Sequence, residues 1–157
     1  MKLVQLTPDQ FERTLHGEPT FAYMDGAIPP KHVLMRAWEQ YKNSVDIIWA
    51  LPYFIEIDGQ MVGCCGFKYA PHADGVEIGY NVAPNARGIG VATSAVKALN
   101  HIAFQSDVVN HTKALIAKDN VASLNVIKKN GFIYKGMVED KDGEQLEHWE
   151  FTLPSNP

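Results

Sequence analysis

Cysteine is nearly absent from this chain: the only two, Cys64 and Cys65, are adjacent inside an apolar run. Neighbouring strand residues point to opposite faces, so a bond between them would distort the strand. They read as small buried fillers. Nothing marks a disulfide-built secreted domain, and a reducing cytoplasm is the expected compartment. Residues 1–12 hold too short an apolar run for a signal peptide, and no stretch approaches the ~20 apolar residues that cross a bilayer. Positive charge is also short. With 14 Lys and Arg against 18 Asp and Glu the net charge is −4, so no basic face is evident to grip a nucleic-acid backbone. A mildly acidic surface is compatible with a cationic or amine-bearing substrate. The six histidines show no H-x-H, H-E-x-x-H or paired Cys/His spacing, so no metal site is expected. No internal repeat, low-complexity tract or linker interrupts the chain.

What is present suits one globular unit over residues 1–157: an apolar fraction of 46% and a charged fraction of 20%. Residues 2–6 read as a strand. Thr7, Pro8 and Gln10 then open a short helix with Phe11 and Leu15 on one face, since threonine caps, proline fits the first turn and glutamine completes a capping box. Residues 17–30 are rich in proline and glycine and read as a loop. A second helix over 30–43 buries Val33, Leu34, Ala37, Trp38 and Tyr41 at helical spacing. From Ile47 the pattern turns to strands. Residues 53–57 and 61–69 flank Asp58-Gly59, a two-residue hairpin signal. A strand over 76–82, a long helix to about residue 105 and a short strand over 114–117 follow. A capped helix over 121–130 and a closing hairpin of 132–138 with 146–153 complete the order β-α-α-β-β-β-α-β-α-β-β. That order gives an α/β or α+β domain with a mixed sheet.

The informative stretch lies between residues 76 and 92. A strand runs into Pro84, passes Gly88-Ile89-Gly90, and a long amphipathic helix begins at once. Helix N-termini leave amide N–H groups without partners and carry partial positive charge, while glycine lets backbone approach an anion closely. Arg87 can add a charge-assisted contact. The plain alternative is a tight strand-to-helix turn. A dinucleotide fingerprint is excluded because Thr93 stands where its third glycine belongs, and the lysine of a P-loop is missing.

The segment from Glu77 to Ala92 resembles the central motif of the GNAT superfamily of N-acyltransferases, in which a Gln/Arg-x-x-Gly-x-Gly/Ala loop binds the pyrophosphate of coenzyme A. Asn85 departs from the usual Gln or Arg. A second segment, Asn120 to Ser123 continuing to Lys128-Lys129-Asn130-Gly131-Phe132, is similar to the family's closing "N-x-x-S … K-x-G-F" pattern. The resemblance implies a GNAT-type, mostly antiparallel central sheet of about six to seven strands with about four helices. It also implies acetyl-CoA as acyl donor and a primary amine as acceptor, with the branch that modifies ribosomal-protein N-termini most alike.

By that resemblance Tyr80, Asn81 and Val82 bind the pantetheine arm through their backbone, and Val82 N–H faces the thioester oxygen. Arg87, Gly88, Ile89, Gly90, Val91 and Ala92 hold the pyrophosphate, and Asn120 and Ser123 contact the coenzyme from the other side. Glu77, the acidic residue of that strand motif, becomes the expected base; its other reading is an ion-paired strand glutamate. Many relatives carry an acid tyrosine where this chain has Ile127, so Ser123 is the expected helper of the leaving thiolate, its other reading being a first-turn helix serine. Trp38, Tyr41, His148 and Trp149 fall on elements that line acceptor pockets in relatives, although core burial is the first reading of Trp38 and Tyr41, and core packing or surface exposure that of His148 and Trp149. Tyr134 reads as packing in the last hairpin. Exposed apolar residues on the last strand suggest a possible homodimer. A non-catalytic acyl-CoA-binding regulatory module is the rival from another class.

Overall fold

Capping chemistry sets the first helix where the sequence places it. The structure, a computed structural model, describes residues 1–154. After strand β1 (Lys2–Gln5), helix α1 (Pro8–Leu15) starts at Thr7. Thr7 Oγ1 accepts from Gln10 N–H at 3.2 Å, and Gln10 Oε1 accepts from Thr7 N–H at 3.0 Å. Helix α2 (Lys31–Lys42) follows the proline-rich loop. The segment from Ile47 is not yet strand: α3 (Ile47–Ala50) is a one-turn helix, opened by Asp46, whose carboxylate accepts from Ile48 N–H at 3.1 Å. Four apolar residues are too few to fix a period, and the cap decides.

Strands β2 (Tyr53–Ile57) and β3 (Gln60–Phe67) form the expected hairpin. Asp58 and Gly59 both take positive φ, 51° and 78°, as the twist-matched two-residue turn requires. Strand β4 (Gly75–Val82), a single 3₁₀ turn (Pro84–Ala86), helix α4 (Val91–Gln105) and strand β5 (His111–Ala117) come next. β5 is longer than its apolar run, because Thr112 is fully buried and donates its hydroxyl to Asn100 Oδ1 of α4 at 2.7 Å. Helix α5 (Val121–Lys129) and the hairpin of β6 (Ile133–Glu139) with β7 (Gln145–Thr152) complete the chain.

The seven strands form one sheet in the order β1-β2-β3-β4-β5-β7-β6, antiparallel except between β4 and β5. This is the mixed, mostly antiparallel α/β architecture expected from sequence, with the four-residue α3 as a fifth helix. Helices α4 and α5 cover one face with the larger core, while α1 and α2 cover the other. Strand β3 serves both. Cys65 lies in the core under α4 and Cys64 in the core under α2, as opposite pointing requires. Both are free and buried, and burial pushes the Cys64 thiol up to about 12. Trp38 stacks between Phe11 and Tyr41, with ring centroids 5.8 and 5.5 Å apart, so these aromatics build the α1–α2 core.

Candidate functional site

Strands β4 and β5 pair only at Gly75–His111, Val76–Thr112 and Glu77–Lys113, and then part. Beyond that point β4 continues against β3 to Val82, and β5 continues against β7 to Ala117. Glu77 C=O accepts from Lys68 N–H of the β3 side. Backbone direction alternates along a strand, so the peptide groups of Ile78, Tyr80 and Val82 turn toward the opening. Tyr80 and Val82 therefore offer backbone to the gap, whereas the Asn81 backbone lies opposite Cys64 of β3. The Asn81 side chain instead donates to Gly26 C=O at 3.0 Å.

Two cavities meet at this opening. One, about 470 Å³, lies between the start of α4 and α5; its wall includes Val82, Arg87, Gly88, Gly90, Asn120 and Lys129. The loop is shaped by Gly88 (φ 80°) and Gly90 (φ 85°), the latter serving as left-handed N-cap of α4 with no capping side chain. Ser94 N–H is the first amide of the helix to find a backbone partner, Gly90 C=O at 3.1 Å. The amides of Val91, Ala92 and Thr93 are left for a ligand. A Cβ built on Gly88 or Gly90 would meet nothing within 4 Å, so positive φ rather than crowding is what calls for glycine there. Arg87 and Lys129 bring cations from both walls. Arg87 Nε donates to Val82 C=O at 2.9 Å, bracing the loop against β4. The free amides, glycine loop and cations fit a diphosphate.

Of the residues expected here from sequence, Tyr80, Asn81, Val82, Arg87, Gly88, Gly90, Val91, Ala92, Asn120 and Ser123 line this cavity. Ile89 does not; its side chain is 74% exposed. Asn85 lies in the 3₁₀ turn and lines neither cavity. Lys129, Asn125 and Thr93 were missed. Lys129 stands inside the closing motif, and only the facing of α5 toward α4 reveals its direction. Asn120 serves in two ways, since it also caps α5 by accepting from Ser123 N–H at 3.2 Å.

The second cavity, about 350 Å³, runs from the same opening to the α2 side, past Arg36, Gln40, Cys64 and Lys68. Tyr80, Asn81 and Ser123 belong to both walls. At this junction the Tyr80 hydroxyl and Ser123 Oγ are 2.9 Å apart, and Tyr80 also donates to Ser123 C=O at 3.3 Å. Burial raises the Tyr80 phenol above its ordinary value, and the bond to Ser123 partly offsets that rise. The hydroxyl keeps its proton at neutral pH and stands where it can give one up.

Glu77 is 6% exposed, and its carboxylate faces Lys68 Nζ at 2.7 Å and the Tyr69 hydroxyl at 3.4 Å. It lines neither cavity, although its partner Lys68 and its neighbour Ile78 line the second. Trp38, Tyr41, Tyr134, His148 and Trp149 also line neither. Trp149 is buried and meets Tyr134 edge-on at 5.6 Å. Exposed apolar residues on the closing hairpin are Ile133, Tyr134 and Met137 of β6, and Leu153 just past the end of β7. Among the described residues there is no cluster of three metal-ligating side chains, and no helix is long and apolar enough to cross a membrane.

Comparison with known proteins agrees with this geometry. The chain is 29% identical over 98 residues to the uncharacterized N-acetyltransferase p20 of Bacillus licheniformis, covering 60% of this chain and 55% of that one. It is 27% identical to RimJ of Mycobacterium smegmatis, solved in complex with CoA-disulfide, with a TM-score of 0.60 over 65% of this chain and 52% of that one. It thus spans about half the length of these two relatives. Ribosomal-protein-alanine N-acetyltransferase of Brucella melitensis shares the fold at 18% identity, with a TM-score of 0.67 over 98% of this chain and 100% of that one. The family model described as the acetyltransferase (GNAT) domain matches residues 1–133, and with it the parted strands and the glycine loop: this chain belongs to the GNAT family.

Proposed function

We propose that the chain, over its whole length of residues 1–157, is an N-acetyltransferase that moves an acetyl group from acetyl-CoA to a primary amine by direct attack in a ternary complex. The observation that carries this is the meeting of two cavities at one opening in the sheet, the larger walled by the start of α4, Arg87 and Lys129. Acetyl-CoA supplies an activated acyl carbon: the amine nitrogen bonds to it, the carbon–sulfur bond breaks, the sulfur gains a proton and the nitrogen loses one. Val91, Ala92 and Thr93 amides, with Arg87 and Lys129, hold the diphosphate. Val82 N–H polarises the acyl oxygen. Tyr80, through Ser123 Oγ, delivers the proton to sulfur. This pair takes the place of an acid on α5, where Ile127 is fully buried.

No carboxylate lines either cavity, so Glu77, next to Ile78, is the nearest carboxylate base along the strand and takes the amine's proton by way of water. The exposed apolar set on β6 at the edge of the sheet supports a homodimer, and the cytoplasm, with its pool of coenzyme, suits the activity.

Calorimetry with acetyl-CoA and a thiol-release screen against amines test the reading together. Binding without thiol release from any amine would leave a regulatory acyl-CoA module. No heat at all would remove coenzyme A from the account. Unchanged kcat and pH profile in Glu77→Gln would dismiss Glu77 as base.

A further inference from the structure

The second cavity has a chemical character that the whole chain does not share. The protein is net acidic, yet no Asp or Glu stands among the residues lining this cavity, and two cations do, Arg36 and Lys68. Lys68 is already answered by Glu77 at 2.7 Å. Arg36 is exposed on α2 and has no carboxylate within 4.0 Å among the described residues. One turn further along the same helix face, Gln40 Nε2 donates to Lys68 C=O at 2.9 Å, which fixes the carboxamide's orientation. Its Oε1 is buried with no hydrogen-bond partner, an expensive condition unless a ligand supplies a donor.

We infer that the acceptor is an amine that also carries an anionic group, which Arg36 pairs while Gln40 Oε1 accepts an N–H or O–H of the same molecule. This rests on the proposed acetyl transfer and names the acceptor class for it. A polyamine or an aminoglycoside would bring several positive charges to a wall whose one uncompensated charge, Arg36, is also positive, at a cost from like-charge repulsion. An anion-bearing amine meets the opposite: its charge completes the one cation left open.

The test uses ω-amino acids of graded chain length, their primary amides, matched aminoalkyl phosphates and spermidine. In the longer members of these series the reacting amine keeps a similar pKa while the distal group changes. Each is titrated by calorimetry into the full chain saturated with CoA, and each is assayed for thiol release with acetyl-CoA. At one chain length the acid or the phosphate is expected to bind and react about tenfold better than the amide. The better of the two identifies the anion. Arg36→Ala should bring that ratio to about one, chiefly through KM, Arg36→Lys should keep part of it, and raised salt should shrink it. Gln40→Leu should weaken acids and amides alike. Equal binding of acids and amides, or tighter binding of spermidine, overturns the inference. So does a ratio that Arg36→Ala leaves intact. Selective, Arg36-dependent binding of acids without thiol release would uphold the anion site and reject acetyl transfer, so the two failures read differently.

Discussion

The two cavities that meet between β4 and β5 are built from different materials. The larger is made mostly of backbone: two glycines at positive φ, a helix start without a capping side chain, and a strand whose peptide groups face an opening. The smaller is lined chiefly by residues of α2, β3, β4 and β5, Arg36 and Gln40 among them. Backbone at positive φ tolerates few substitutions and suits a ligand part that never varies, in the proposed function a diphosphate. Side chains can be exchanged one at a time without disturbing the sheet, so the proposed acceptor side is where specificity is expected to reside.

The sharpest way to break this contrast is Gly90→Val. A β-branched residue is a poor fit at φ 85°, so stability should fall by about 1–2 kcal/mol and acetyl-CoA affinity by more than about tenfold. Urea titration and calorimetry read the two effects separately. Wild-type affinity in a folded Gly90→Val protein would mean that the loop is only a turn.

Tyr80→Phe probes the junction. The hydroxyl bonded to Ser123 disappears while the backbone facing the gap remains, so kcat should drop about 100-fold with acetyl-CoA affinity nearly unchanged. Burial keeps the proton on Tyr80 past the usual phenol value of 10.0, so wild-type kcat should show no loss of this acid below that pH. A kcat equal to wild type would assign the proton to solvent.

Lys129→Ala should be milder. A cation on the wall of an open cavity is screened, so acetyl-CoA affinity should fall about threefold, and less at high salt. A loss as large as that in Gly90→Val would show that charge, rather than backbone, dominates the larger cavity.

The smallest effect belongs to the scaffold beneath both. Burial raises the Tyr53 phenol from 10.0 to about 12, and its hydroxyl donates to Ile48 C=O at 3.1 Å. The unfolded chain loses that proton first, so the Tyr53 contribution is whole below pH 10.0 and is lost as pH rises toward about 12. Urea midpoints across that range should decline less in Tyr53→Phe than in wild type. Equal declines would exclude Tyr53 as a source.

What could be read from sequence was whatever acts within a few residues. The Thr7–Gln10 cap, the Asp58-Gly59 turn, the Gly90 helix start and the Asn120 cap each close on themselves locally. The larger cavity inherits much of that legibility because its wall comes from two short stretches, 80–93 and 120–129. One short helix, α3, was hidden because four apolar residues suit either period and Asp46 alone decides. The junction was hidden for another reason. Tyr80 and Ser123 are 43 positions apart, and only the folded sheet brings their hydroxyls together. The Lys68–Glu77 pair likewise depends on β3 lying beside β4. Acceptor walls assembled from distant elements leave no periodic or spaced trace.

A last consequence concerns mechanics. Three paired positions join β4 to β5, whereas seven join β5 to β7, so the middle of the sheet is its softest line. Amide exchange at the Gly75–Glu77 rungs should reveal a lower opening free energy than at the β5–β7 ladder. Strand pairing is thus thin along a single crease at the opening, between better-paired flanks. Flexing of that crease would change how far the donor's tail can reach without unpacking either core.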